Sequence, residues 1–110
     1  MEGPFSLTTT SIDDNVTKKS PGVYELFISY DGPVKYVGRS DEDLNARLKT
    51  WVGSKYKYFK FEYCSSPKAA FEKECQLYHY HGASEKLDNK IHPQRPAGTD
   101  WKCPVCKIYD

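Results

Sequence analysis

Two short runs of β-forming residues, GVYELFISY and VKYVG, flank Asp31-Gly32-Pro33. A turn triplet between alternating apolar segments commits that stretch to an antiparallel hairpin. The first strand spans 22–30. Tyr24, Leu26, Ile28 and Tyr30 share one face, and Val23, Glu25, Phe27 and Ser29 share the other, because side chains alternate across a strand. The returning strand spans 34–38, with Val34 and Tyr36 on one face.

The rest of the chain is read outward from this hairpin. Ser40 with Asp43 three residues on forms a capping box, and Asp41 and Glu42 suit a helix N-terminus. Leu44, Leu48, Trp51 and Val52 follow at helical spacing, so 41–52 reads as a helix ended by Gly53. The segment KYKYFKFEYC at 55–64 reads as a third strand. Ser66 caps a second helix at 67–81, with Pro67 at its first position and Gly82 as its stop. The order is β-β-α-β-α: an α+β domain with a small three-stranded antiparallel sheet flanked by helices. Residues 1–20 read as a polar N-terminal arm, with Leu7, Ile12 and Val16 available to pack on the body. Residues 21–92 form the domain, and 93–110 a Pro- and Cys-containing tail wrapped over it.

A chain of 110 residues carries one modest core. No apolar run reaches the length of a membrane span. The first twenty residues include Asp13, Asp14, Lys18 and Lys19, unlike a secretory signal. The expected location is cytoplasmic or nucleoid-associated, and the four cysteines then read as thiols or metal ligands. The net charge of +1 leaves any nucleic-acid role to local clustering.

Glu74 is the most informative single residue. On the second helix Ala70, Phe71, Leu77 and Tyr78 define an apolar stripe, and Glu74 falls in its middle. A carboxylate there needs a cation, either an arginine or a metal, and the competing assignment is a structural salt bridge or a stripe end that reaches water. Arg47 borders the apolar face of the first helix, and Arg39 follows the second strand. Two guanidiniums so placed could clamp a phosphate. Lys49, Lys55, Lys57 and Lys60 interleave with Trp51, Tyr56, Tyr58 and Phe59, a mixture suited to nucleic acid and equally to an amphipathic strand with a wet face. A buried carboxylate, two arginines and several tyrosines together point to phosphodiester hydrolysis. Glu74 would hold one Mg²⁺ or Mn²⁺.

These elements resemble the GIY-YIG nuclease family over roughly residues 21–92. Gly22-Val23-Tyr24 is similar to the GIY element and Tyr36-Val37-Gly38 to the YIG element. The segment from Gly38-Arg39-Ser40 to Arg47 resembles the stretch that ends in the family's helix-borne arginine. Glu74-Cys75-Gln76-Leu77-Tyr78 resembles the metal-binding glutamate segment, and Asn89 the family's late asparagine. The resemblance implies a single-metal DNA endonuclease. Tyr36 or Tyr24 would activate water, Arg39 and Arg47 would stabilise phosphate charge, and Asn89 would orient substrate or a water. Tyrosine ionises near pH 10, so neighbouring cations must lower that value or activity must favour alkaline pH. Trp51 stands where the family usually carries His or Tyr. An inactive nucleic-acid-binding module on the same fold is therefore the alternative. The chain has little room for an added domain, so nonspecific or structure-selective cutting is expected unless a partner protein or a homodimer supplies specificity.

Cys103-Pro104-Val105-Cys106 is a zinc-knuckle-like CxxC, which would be half of a site. Cys75 and His79, at i and i+4 on the second helix, could complete it, and His92 and His81 are further candidates. A free dithiol near the terminus is the competing assignment.

Overall fold

The computed structural model describes residues 1–110. Its elements run β1 (Glu2–Ser6), α1 (Thr9–Asn15), β2 (Gly22–Phe27), β3 (Tyr36–Ser40), α2 (Leu44–Lys49), β4 (Tyr58–Tyr63), α3 (Pro67–Tyr80) and α4 (Ala83–Lys86). The fold is α+β, and the antiparallel sheet has four strands in the order β1-β4-β2-β3 rather than three. No helix is long and apolar enough to cross a membrane.

The additional strand comes from the segment read as an arm. β1 pairs with β4, Phe5 opposite Phe59, with an irregularity between Glu2 and Phe5. Pro4 is tolerated because β1 is an edge strand, where a missing N–H goes unnoticed. Thr8 caps α1 by accepting from Ser11 N. Leu7, Ile12 and Val16 then join Tyr24, Leu26, Leu44, Leu48, Phe59 and Phe61 in the main core. The arm is part of the domain.

β2 is one of the two central strands and is buried along its whole length. Its Tyr24 and Leu26 face α1 and α2. The opposite sheet face carries α3 and the tail: Val37 packs with Tyr78 and Leu87, while Phe71, Cys75 and Cys103 form a third cluster joined by Trp101 and Tyr109.

Element boundaries shift for local reasons. β2 stops at Phe27, and Ile28 and Tyr30 lie exposed in a wide turn that closes through the Lys35 N–H on Leu26 O. The first helix is shorter than 41–52. The Ser40 hydroxyl accepts from Asp43 N and makes a turn first, and Asp43 is the cap, accepting from Ala46 N. Beyond Lys49 the backbone tightens into i→i−3 bonds through Trp51 and Ser54. α3 matches its expected span within one residue, because Ser66 and Pro67 start it as their residue types dictate.

Candidate active cleft and candidate metal centre

Five of the six sequence-selected residues converge from four elements on the exposed edge of β3. Tyr24 comes from β2, Tyr36 and Arg39 from β3, Arg47 from α2 and Glu74 from α3. They line an open cleft of about 680 Å³ whose far wall is the segment from Asp88 to Gln94.

Gly38 explains how a residue of β2 reaches this edge. A Cβ at position 38 would collide with the ring and hydroxyl of Tyr24. The phenol of Tyr24 therefore passes over the bare Gly38 backbone and lodges, fully buried, in the wall of the cleft. This is a close-approach requirement that only glycine meets.

The Tyr24 oxygen accepts the Trp51 indole N–H at 2.8 Å. Arg47 stands beside it. Burial pushes the Tyr24 phenol above its ordinary value, and Arg47 and Trp51 partly oppose that rise. Tyr36 is also raised, first by burial and then by the Glu74 carboxylate, with Arg47 opposing. The cations therefore do not bring either tyrosine below its usual range. Tyr36 packs on Trp51 at 4.7 Å between ring centroids, and Tyr56 completes the aromatic group. The sequence reading missed Trp51 as a contributor. It lacks a proton-accepting group but has an N–H, and that N–H is the part in use.

Glu74 is buried, and its cation in this state is Arg39, with Nη1 2.6 Å from Oε1. Arg39 also donates from Nε to Asp41 at 2.8 Å and from Nη2 to the Gln94 carbonyl at 2.7 Å, and it lies over the Phe71 ring. Burial raises the Glu74 carboxyl above its ordinary value despite Arg39. Glu74 Oε2 has no protein hydrogen-bond partner and is not sealed from solvent.

Asn89 lines the cleft, but its side chain is committed elsewhere. Oδ1 accepts from Val37 N at 3.0 Å and Nδ2 donates to Val37 O at 2.8 Å. It acts as a one-residue strand on the outer edge of β3, not as a free amide for a substrate. Asp88 is likewise held, accepting from the Tyr56 hydroxyl and pairing with Lys55.

The four lysines are not gathered into one patch. Lys49 pairs with Asp13 of α1, Lys55 with Asp88, and Lys57 donates to Ser54 O. Lys60 lies over Phe27, on the sheet face opposite to the one that α2 covers.

A second group lies beyond the cleft wall. One ligand atom each of His79, His92, Cys103 and Cys106 falls within 4.8 Å of all the others. These four could hold a metal ion such as zinc. His92 replaces Cys75 in the expected set. Cys75 is fully buried one turn before His79 and packs with Phe71 and Cys103 in the core, outside the group. His81 is also excluded, because its Nε2 meets Glu25 Oε2 at 2.7 Å. His92 was the hardest ligand to select, since only the fold brings it back to α3 and the tail.

No protein-family model, curated protein or solved structure matches this chain.

Proposed function

We propose that this chain is a divalent-metal-dependent endonuclease of the GIY-YIG type that hydrolyses DNA phosphodiester bonds with a single metal ion. The observation that carries this reading is the convergence of Tyr24, Tyr36, Arg39, Arg47 and Glu74 on one open cleft. Such a set supplies a carboxylate, two fixed cations and two phenols, which are the groups that phosphate hydrolysis needs.

The donor set fits a hard cation. Glu74 Oε2 is free of protein partners beside an open cleft, and Mg²⁺ or Mn²⁺ accepts one carboxylate with water in its remaining positions. Such an ion, when bound, supplies Lewis-acid stabilisation of phosphate charge. The chain's own groups do the rest. Arg47 is placed beside the tyrosine oxygens, where it neutralises charge developing on a phosphate. Tyr24 or Tyr36 would accept the proton, and burial opposes the ionised form of both. Trp51 and Arg47 both favour the ionised oxygen of Tyr24, whereas Glu74 disfavours that of Tyr36. Trp51 is a positioning residue that fixes the Tyr24 oxygen.

Plasmid DNA incubated with the protein and Mg²⁺ or Mn²⁺, beside a Glu74→Ala control, tests the proposal. Nicking by the wild type alone supports it, and equal nicking by both would assign the activity to a contaminant.

One observation favours a second reading, a module of the same fold that binds nucleic acid without cutting it. Arg39 already occupies Glu74, in a site where burial disfavours the ionised carboxyl. DNA binding by fluorescence anisotropy, with no nicking in either metal at any pH up to 10, would select this reading.

A further inference from the structure

We propose that His79, His92, Cys103 and Cys106 bind one zinc ion, which locks the C-terminal tail to α3 and thereby fixes the far wall of the cleft. The metal site stands on its own residues and does not depend on the nuclease reading.

Four independent features point to a metal rather than to a free dithiol. The ligand atoms come from three separate places, the end of α3, the loop after α4 and the tail, yet all lie within 4.8 Å of one another. Tetrahedral zinc with Cys and His ligands sets them roughly 3.3–3.8 Å apart, so a small contraction closes the site. His79 Nε2 is buried with no hydrogen-bond partner, an arrangement that proteins avoid unless a ligand supplies one. His92 Nδ1 faces the Pro93 carbonyl at 2.8 Å. A carbonyl only accepts, so Nδ1 carries a proton and Nε2, 3.4 Å from Cys106 Sγ, is the ring nitrogen left to take a metal. The backbone N–H groups of Val105 and Cys106 both point at Cys103 Sγ, each at 3.4 Å, as suits a thiolate. Bound as two thiolates and two neutral imidazoles, the four would balance a divalent charge, and this soft set selects zinc over magnesium.

The connection to the cleft is short. His92 lines the cleft wall, and two residues on, the Gln94 carbonyl accepts from Arg39 Nη2 at 2.7 Å. Tyr109, in the tail, donates to Pro93 O at 2.9 Å. A metal on His92 would hold the segment that holds Arg39.

The test uses the full chain purified without chelator. Elemental analysis is expected to give about one zinc per chain. Reduced wild-type protein, stripped and titrated with Co²⁺, is expected to show the intense visible bands of a tetrahedral site and sulfur-to-cobalt charge transfer, both lost on adding zinc. Cys106→Ser and His79→Ala should bind zinc at least ten-fold more weakly, and Cys75→Ala should bind as wild type does. Less than about a tenth of a zinc in wild type re-equilibrated with excess zinc, or no cobalt bands, overturns the proposal. So does full affinity in Cys106→Ser or its loss in Cys75→Ala. The wild-type measurements need no variant to fold, and none of the readouts needs DNA cleavage.

Discussion

Arg39 Nη1 lies 2.6 Å from Glu74 Oε1, and the same guanidinium reaches Asp41 and the Gln94 carbonyl. One side chain thus joins β3, α3 and the tail around the carboxylate proposed to hold the metal. Arg39→Ala would leave a buried carboxylate unpaired, a change that costs about 3–5 kcal/mol in comparable sites. The Arg39→Ala/Glu74→Ala double variant should be less destabilised than the sum of the singles. Urea denaturation of the four proteins checks this, and strict additivity would sink the coupling.

Burial raises Glu74, Tyr24 and Tyr36 above their ordinary values, and the proposed chemistry needs the carboxylate and one phenolate ionised. Both requirements move activity in the same direction. Glu74 loses function on acidification at a higher pH than an ordinary carboxyl, and the phenolate population still grows above pH about 10. Nicking should rise about ten-fold per pH unit between 7 and 9. The rate–pH profile of wild type against Tyr24→Phe checks it, and a wild-type rate independent of pH over that range excludes a tyrosine base.

Trp51→Phe removes the N–H donated to Tyr24 while keeping an aromatic ring against Tyr36. The lost hydrogen bond should destabilise the fold by about 1 kcal/mol. More tellingly, the alkaline limb of the activity profile should move up, since the Tyr24 oxyanion loses a donor. An unchanged profile with reduced Tm would confine Trp51 to packing.

The Tyr24–Gly38 contact marks both what the residues alone could reveal and what they could not. The two tyrosine motifs, the hairpin and Glu74 were legible, because strand alternation, turn chemistry and helical periodicity are local. The reason for glycine at 38 was not, since it depends on a side chain crossing from the neighbouring strand. The same limit hid β1, whose five residues contain Gly3 and Pro4 and owe their strand state to pairing with β4. It also favoured Cys75 over His92 as a ligand, because i,i+4 spacing is visible locally and chain return is not. Gly38→Ala is expected to displace the Tyr24 phenol, destabilise by about 1–3 kcal/mol and abolish nicking. Full activity in this variant would show that Tyr24 need not occupy its present path.

Asn89 offers a clean separation of roles. Asn89→Ala removes both side-chain bonds to Val37 and should lower stability by about 1–3 kcal/mol, with little effect on KM at a temperature where the variant stays folded. A large KM increase without loss of stability would make Asn89 a substrate contact instead.

The Asn89 amide also determines how this molecule can meet others. On the outer side of β3 the Val37 N–H and C=O are already satisfied by Asn89, and Asp88 N occupies the Lys35 carbonyl. At the opposite rim, β1 has Pro4 and a broken register. Neither border of the sheet offers an unbroken ladder for an incoming strand, so templated β-aggregation and strand-exchange dimers are disfavoured. A second copy or a partner protein would then dock through side-chain surfaces rather than by adding a strand.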